Sequence, residues 1–362
     1  MPEAPILTFG EKVSLNLTLL QMPFFLLYVA LVSRFNARRP LNRILFDKAA
    51  RFVLERMSIR QLQSYSSTAK AYSTWRKQVG IEPVVDDLGS DAALMWAGSR
   101  QTERVLIYFH GGGFAGPLSD FQIEYWYRIQ QSLLEGHGRN LGVAVLQYSL
   151  IPKVFPTQLN QAILAVKHLL SIGVPTSNIY LAGDSTGGNL IVQLLSHILH
   201  PEVSLSEKWL VTKFAGACLV SPWLLDKAAT SSEVHNDAFD LAPAKCLAMW
   251  RDAYVANIPD SKRVFVQPND FAPANWFMGL DQVVNRILVT VGTHEVLLDS
   301  IQVFSETLSK SHGKVEVDTQ ENGVHCDFIF DVGAKSRKGS HPMDQKVVDW
   351  FAKCIADEDS EA

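Results

Sequence analysis

The sequence predicts an α/β protein, a mostly parallel eight-stranded sheet flanked by helices. Three observations predict it. After about Val79, short β-branched apolar runs alternate with stretches of helical periodicity, the pattern of successive strand–helix units. Several of those runs are nearly continuous rather than alternating, as strands covered on both faces require. Two glycine clusters, HGGGF at 110–114 and GDSTGG at 183–188, each stand directly after such a run, where a strand gives way to a loop or helix.

The elements follow in order. The N-terminal region to Val79 reads as helical, and strands are expected at 83–88, 92–97, 104–109, 142–148, 178–183, 215–221, 286–292 and 314–319. Helical stretches fall at 118–134, 157–172, 186–200, 296–311 and 342–357. Between Pro222 and Leu280 the alternation lapses into a Trp- and Ala-rich segment, read as an insertion above the sheet.

Composition narrows the class. Of 362 residues, 47% are apolar and 19% charged, enough for a substantial core, and the net charge of −4 offers no basic footprint for nucleic acid. The four cysteines, Cys218, Cys246, Cys326 and Cys354, are widely spaced and read as reduced core or surface thiols. His197 and His200 lack a third ligand for a metal and read as an ordinary helix face, and the acidic end ADEDSEA reads as a solvated tail.

Residues 15–33 form an apolar run close to the roughly 20 residues a membrane span needs, diluted by Asn16, Thr18, Gln21 and Pro23. Glu3 and Glu11 argue against a cleaved signal peptide. A helix packed over a pocket or lying on a membrane surface is favoured over a true span. If the run inserts, the basic flank Arg34, Arg38, Arg39 and Arg43 keeps the rest of the chain on the cytosolic face, as at the endoplasmic reticulum.

The sequence around Ser185 carries the chemistry. Gly183-Asp184-Ser185-Thr186-Gly187 fits G-x-S-x-G between a strand and a helix, a turn that lifts the serine hydroxyl above the sheet. Alone, it fits a helix-capping serine equally well. His110-Gly111-Gly112-Gly113-Phe114 shifts that balance, because three glycines in a row are costly in chain entropy and leave backbone N–H groups free to face an oxyanion. A phosphate loop would need a following Lys-Ser/Thr, which is missing. A serine nucleophile needs a base and an orienting acid. His325, in a Gly-containing loop after the last strand, is the best-placed base; His235, His312 and His341 read as surface residues. Glu295 follows the apolar run 286–292, and Asp299, about one helical turn on, is the reserve acid.

Together these motifs resemble the hormone-sensitive-lipase branch of the α/β-hydrolase superfamily, and within it fungal esterases of the steryl acetyl hydrolase type. HGGGF and GDSTGG match that branch's two signatures, with Thr186 where alanine is usual. YSLIP at 148–152 resembles its Y-[RS]-L-A-P element, and GTHEVLLDS resembles G-x-x-D-P-L-x-D, with Glu295 on the catalytic acid and Val296 on the proline. The resemblance runs from about Leu41 to the end. It implies oxyanion N–H groups from Gly112, Gly113 and Thr186, a bracing role for His110 and a structural one for Asp184. The motif glycines Gly111, Gly183 and Gly187 provide support.

It further implies three parts: 1–79, an apolar helix and cap helices; 80–221 with 286–362, the catalytic core; and 222–285, an insertion after the sixth strand that contributes to the cap. Trp223, Trp250, Trp276 and Phe277 are candidates for the cap lining, though core is the favoured reading for any single one. The function implied is a Ser-His-Glu carboxylic ester hydrolase with no metal or cofactor, acting on a small lipophilic ester with a short acyl group. The alternatives are acyl transfer or cyclisation by the same triad and, ranked low, a ligand receptor on a hydrolase fold.

Overall fold

The structure is a computed structural model that describes residues 5–33, 39–202, 205, 213–336 and 341–361. Four helices open the chain: α1 (Phe9–Ser33), α2 (Leu41–Arg56), α3 (Ile59–Tyr65) and α4 (Thr68–Val79). The strands are β1 (Val85–Gly89), β2 (Ala92–Trp96), β3 (Val105–Phe109), β4 (Gly142–Gln147), β5 (Ile179–Asp184), β6 (Gly216–Val220), β7 (Ile287–Gly292) and β8 (Val315–Gln320). They form one sheet in the order β1-β2-β4-β3-β5-β6-β7-β8. β1 and β2 pair antiparallel with their neighbours, and every ladder from β4 to β8 is parallel. β3 through β7 are buried along their whole length, as their continuous apolar sequences require.

Helices α5 (Asp120–His137), α6 (Thr157–Ser171), α7 (Thr186–Leu199), α12 (Leu298–Ser311) and α14 (Pro342–Glu361) cover the sheet where helical periodicity placed them. The acidic end is not a separate tail, because α14 runs on through it to Glu361. The insertion holds short helices α8 (Ser231–Asn236), α9 (Ala244–Val255), α10 (Asp260–Arg263) and α11 (Pro268–Phe271). A further helix, α13 (Asp327–Ala334), follows His325 and was not expected.

The N-terminal helices are fastened to the core by charge. Arg43 on α2 is 1% exposed and lies 2.7 Å from Asp47, 2.7 Å from Asp327 and 2.6 Å from Asp331. Arg39 joins Asp327 at 2.8 Å, so these two arginines serve the fold rather than a basic flank; Arg34 and Arg38 lie outside the described residues. Gln63 on α3 donates to the carbonyls of Ala115 and Ile151, at 3.0 and 2.7 Å, tying this layer to the glycine loop. α1 packs on α2 through stacked Phe25 and Phe52 rings 4.7 Å apart. Its outer face leaves Phe9, Val13, Leu17, Leu20, Phe24, Leu27 and Leu31 exposed, at the spacing of three and four that makes one helical stripe.

Candidate active site

Ser185 sits on the turn between β5 and α7 at φ 51 and ψ −118, a backbone conformation a non-glycine residue rarely takes. Its N–H donates to Val220 O at 2.9 Å, and its carbonyl accepts from Trp223 N at 3.0 Å. The flanking glycines are there for space. A Cβ on Gly187 would stand 1.8 Å from Phe109 O, and one on Gly183 would stand 2.4 Å from the Gly187 carbonyl carbon. Thr186 opens α7, so its N–H has no intrahelical acceptor.

The HGGGF loop leaves β3 next door. Gly111 N–H donates to Asp184 Oδ1 at 2.8 Å, and the Gly112 carbonyl turns back to accept from Ala115 and Gly116 at 3.0 and 2.7 Å. Phe114 N–H meets Thr186 Oγ1 at 3.4 Å, joining the loop to the start of α7. Gly113, at φ 68, lies against Trp250 on α9: a Cβ there would be 2.1 Å from the indole ring. Asp184 is a buried latch, bonded to the Tyr108 hydroxyl, to Gly111 and, at 3.1 Å, to Gln122. Burial raises its pKa. His110 stacks on Tyr148 at 4.3 Å, and the Tyr148 hydroxyl donates to His110 O at 2.6 Å. Complete burial pushes the His110 imidazole down to about 4, which suits a neutral brace and not a proton carrier.

His325 follows β8 and Glu295 follows β7. The structure brings them together: His325 Nδ1 lies 2.6 Å from Glu295 Oε1, with both side chains buried. Glu295 Oε2 accepts from Ser221 Oγ at 2.9 Å and from Gly292 N at 3.0 Å. Burial opposes the imidazolium, but the neighbouring Cys326 sulfur and the Glu295 carboxylate outweigh it and raise the His325 pKa above its ordinary value. The histidine loop reaches the serine turn, since Cys326 Sγ is 3.9 Å from Asp184 Oδ2, one residue before Ser185. Asp299 is elsewhere. It lies in the first turn of α12, where its Oδ2 accepts from Ser232 N at 2.7 Å.

Two of the other histidines correct an expectation. His312 and His341 are buried and not surface residues: His312 Nε2 meets Val284 O at 2.9 Å, and His341 Nδ1 accepts from Met343 N at 3.0 Å at the start of α14. His235 is exposed beside Ser231. All four cysteines are free and buried. Among the described residues no group of His, Cys, Asp and Glu is arranged to hold a metal. Of the aromatic candidates, Trp223 and Trp250 border the serine turn and glycine loop. Phe277 packs edge-on to Phe304 within the core, and Trp276, half-buried, stacks on His200 at 3.8 Å against it.

The arrangement has counterparts elsewhere. A family model described as the alpha/beta hydrolase fold matches residues 106–329, from inside β3 to beyond His325. The chain belongs to that family. Within it, the chain falls in the hormone-sensitive-lipase-like branch. It is 30% identical to human hormone-sensitive lipase over 120 residues, which cover 30% of this chain and 10% of that one. It is 28% identical to an acetyl-hydrolase of Streptomyces hygroscopicus over 220 residues, covering 59% of this chain and 64% of that one. The matched stretches thus span less than two thirds of either relative. A hormone-sensitive-lipase homologue, EstE7, from a metagenome library shares the fold with a TM-score of 0.65 at 19% identity, covering 86% of this chain and 97% of its own.

Two residues that this α/β-hydrolase fold places at the site went unmarked in the sequence. Ser221, at φ 45, stands at the exit of β6 as Ser185 stands at the exit of β5; besides holding Glu295, its Oγ accepts from Cys326 N at 3.1 Å. Its position after the apolar run 215–220 was the available signal. Asp240, in the insertion, accepts from His325 N at 3.0 Å and from Val296 N at 2.8 Å. A lone aspartate in AFDLA gives no such signal.

Proposed function

We propose that the chain is a serine carboxylic ester hydrolase in which Ser185 is the nucleophile, His325 the base and Glu295 the orienting acid. The observation that carries this is the buried 2.6 Å contact between His325 Nδ1 and Glu295 Oε1, in a loop that reaches the strained Ser185 turn. With Nδ1 committed to Glu295, Nε2 is the basic nitrogen. It takes the Ser185 proton as Oγ attacks the ester carbonyl, and the imidazolium then protonates the departing alcohol. Water, deprotonated by the same nitrogen, releases the acid and restores the serine. The N–H groups of Gly112, Gly113 and Thr186 receive the oxyanion, each worth about 3–4 kcal/mol in the transition state.

A short acyl group is supported by Trp250, whose indole fills the space against Gly113 and limits room beside the oxyanion donors. The likeness to an acetyl-hydrolase points the same way. A lipophilic substrate is supported by the indoles of Trp223, beside the serine turn, and Trp250, against the glycine loop. The test is hydrolysis of p-nitrophenyl esters of increasing chain length, with fluorophosphonate labelling mapped by mass. Acetate and butyrate should be preferred, the label should fall on Ser185, and Ser185→Ala should lower kcat roughly 10⁶-fold, the order found when a triad nucleophile is removed. Mutant activity within tenfold of wild type removes Ser185 from the mechanism.

The exposed stripe of α1 is proposed to lie on a lipid surface. α1 is long and apolar enough to cross a membrane by length and composition. Packing against α2 favours a helix lying along the surface instead. Full-length protein should float with liposomes, and Leu20→Glu with Leu27→Glu should abolish flotation while leaving soluble-ester hydrolysis intact.

A further inference from the structure

Helix α8 and the turn that follows it are stitched to the acid loop at three points spaced four residues apart. Ser232 Oγ donates to Val296 O at 2.8 Å, Asn236 Nδ2 donates to Glu295 O at 2.9 Å, and Asp240 Oδ2 accepts from Val296 N at 2.8 Å. The third point differs from the others in reaching two loops. Its other oxygen, Oδ1, accepts from His325 N at 3.0 Å and from Leu241 N at 2.7 Å. One carboxylate therefore bonds the amide of the histidine and the amide next to the acid, on loops that leave different strands.

Arg51 holds this segment from the other side. From α2, its Nη1 donates to Asp240 O at 3.0 Å and also to Asp237 O, while Nη2 pairs with Asp237 Oδ2 at 3.0 Å. The guanidinium thus grips the main chain of Asp240 and leaves the carboxylate to the two loops. We propose that Asp240 is a positioning residue for the Glu295–His325 pair, and that Arg51 fixes Asp240 from the N-terminal helices. This rests on the triad reading above.

A purely structural clamp would not choose this side chain. Asp240 is 1% exposed, and stripping a carboxylate of water is costly where a neutral acceptor would serve. The groups facing it are the His325 ring, which favours its charge, the Glu295 carboxylate, which opposes it, and the Val296, His325 and Leu241 amides. Burial pushes it up to about 6, so it is an anion in the range where an ester hydrolase works. The charge is useful only when an imidazolium forms nearby, which happens in each acyl-transfer step.

The full-length protein with Asp240→Asn, and separately with Arg51→Met, tests this. Measured are kcat and KM for p-nitrophenyl acetate from pH 5 to 9, thermal melting and fluorophosphonate labelling. Asp240→Asn should lower kcat roughly ten- to a hundredfold, the cost of a small misplacement of a reacting group, with KM nearly unchanged. An ionisation near pH 6 should vanish from the acid limb of its kcat profile. Arg51→Met should lower kcat several-fold in the same direction. Wild-type kcat and an unaltered pH profile in folded Asp240→Asn would overturn the inference; should that variant not fold, wild-type kcat in Arg51→Met overturns it. Labelling at Ser185 in the wild type keeps the two claims apart. If the label misses Ser185, the triad reading fails; if it lands there while both variants match wild type, only the role of Asp240 fails.

Discussion

Glu295→Gln isolates the charge of the acid from its shape. Glu295 uses both oxygens: Oε1 faces His325 Nδ1, and Oε2 accepts from Ser221 Oγ and Gly292 N. Glutamine has a single acceptor oxygen and must choose. Turned toward His325, it would leave the buried Gly292 N–H facing an NH₂, at about 1–3 kcal/mol for an unsatisfied donor. The Ser221 hydroxyl has a second lone pair and could turn to accept, but the Gly292 N–H can only donate. The amide therefore keeps its oxygen on Ser221 and Gly292 and points NH₂ at Nδ1. The imidazole must then accept at Nδ1 and carry its proton on Nε2, the nitrogen needed as base. The expected loss in kcat is about 10⁴-fold, or about 5.4 kcal/mol of transition-state stabilisation. Asp299→Asn is the matched control. Asp299 bonds Ser232 and not His325, so its kcat should stay within roughly threefold, the size of a small indirect effect. Both variants are read on p-nitrophenyl acetate at pH 8, with melting curves alongside. Retention of a tenth of wild-type kcat by Glu295→Gln, or an equal loss in Asp299→Asn, would refute the assignment of the acid.

Two further outcomes concern stability. Gly187→Ala drives a Cβ to 1.8 Å from Phe109 O, which neither strand nor helix can vacate, so about 1–3 kcal/mol should be lost, seen as a drop in melting temperature together with a large fall in kcat; unchanged melting would contradict the close approach. The pH dependence contains an offset. His110 falls from 6.5 to about 4 on folding, so stability drains as pH drops through that window, whereas Asp240 rises from 3.8 to about 6, so stability grows as pH drops through nearly the same window. Each is worth about 3 kcal/mol and the two nearly cancel. Asp240→Asn should therefore unmask a steeper loss between pH 6 and 4 in urea unfolding, and an unchanged slope would remove Asp240 from the balance.

The parts of the fold legible in the sequence are those fixed by local chemistry. β3, β4, β5, β6 and β7 announced themselves because strands buried on both faces must be apolar without interruption. The glycines around Ser185 were legible because only close backbone approach requires them. What stayed hidden depends on partners distant in the chain. Asp240 acquires its meaning from His325 and Val296, and Arg43 from Asp327 and Asp331. α13 escaped because Cys326, in a left-handed conformation, stands where a capping residue would mark a start. His312 and His341 looked like surface residues because their polar edges are satisfied by main-chain groups of their own loops and a neighbour, which sequence does not display.

The sheet explains how residues spread over this much chain are gathered along one edge. Ser185, Ser221, Glu295 and His325 follow β5, β6, β7 and β8, neighbours in that order, and all three ladders between them are parallel. Their carboxyl ends therefore share one edge. The insertion joins β6 to β7 and emerges at that edge, so topology alone delivers Asp240 above the site. The ladder also holds the strain. Ser185 N–H donates to Val220 O and Ser221 N–H to Thr290 O, each at 2.9 Å, which extends the sheet's hydrogen bonding by one residue at the turn where φ becomes positive. A serine at positive φ costs about 1–3 kcal/mol, and persists only where its surroundings over-determine it. Here the next strand supplies that constraint. The rigidity of the parallel ladder, more than any single contact in the loops, is what holds the serines that end two neighbouring strands at positive φ, with Ser221 turned onto Glu295.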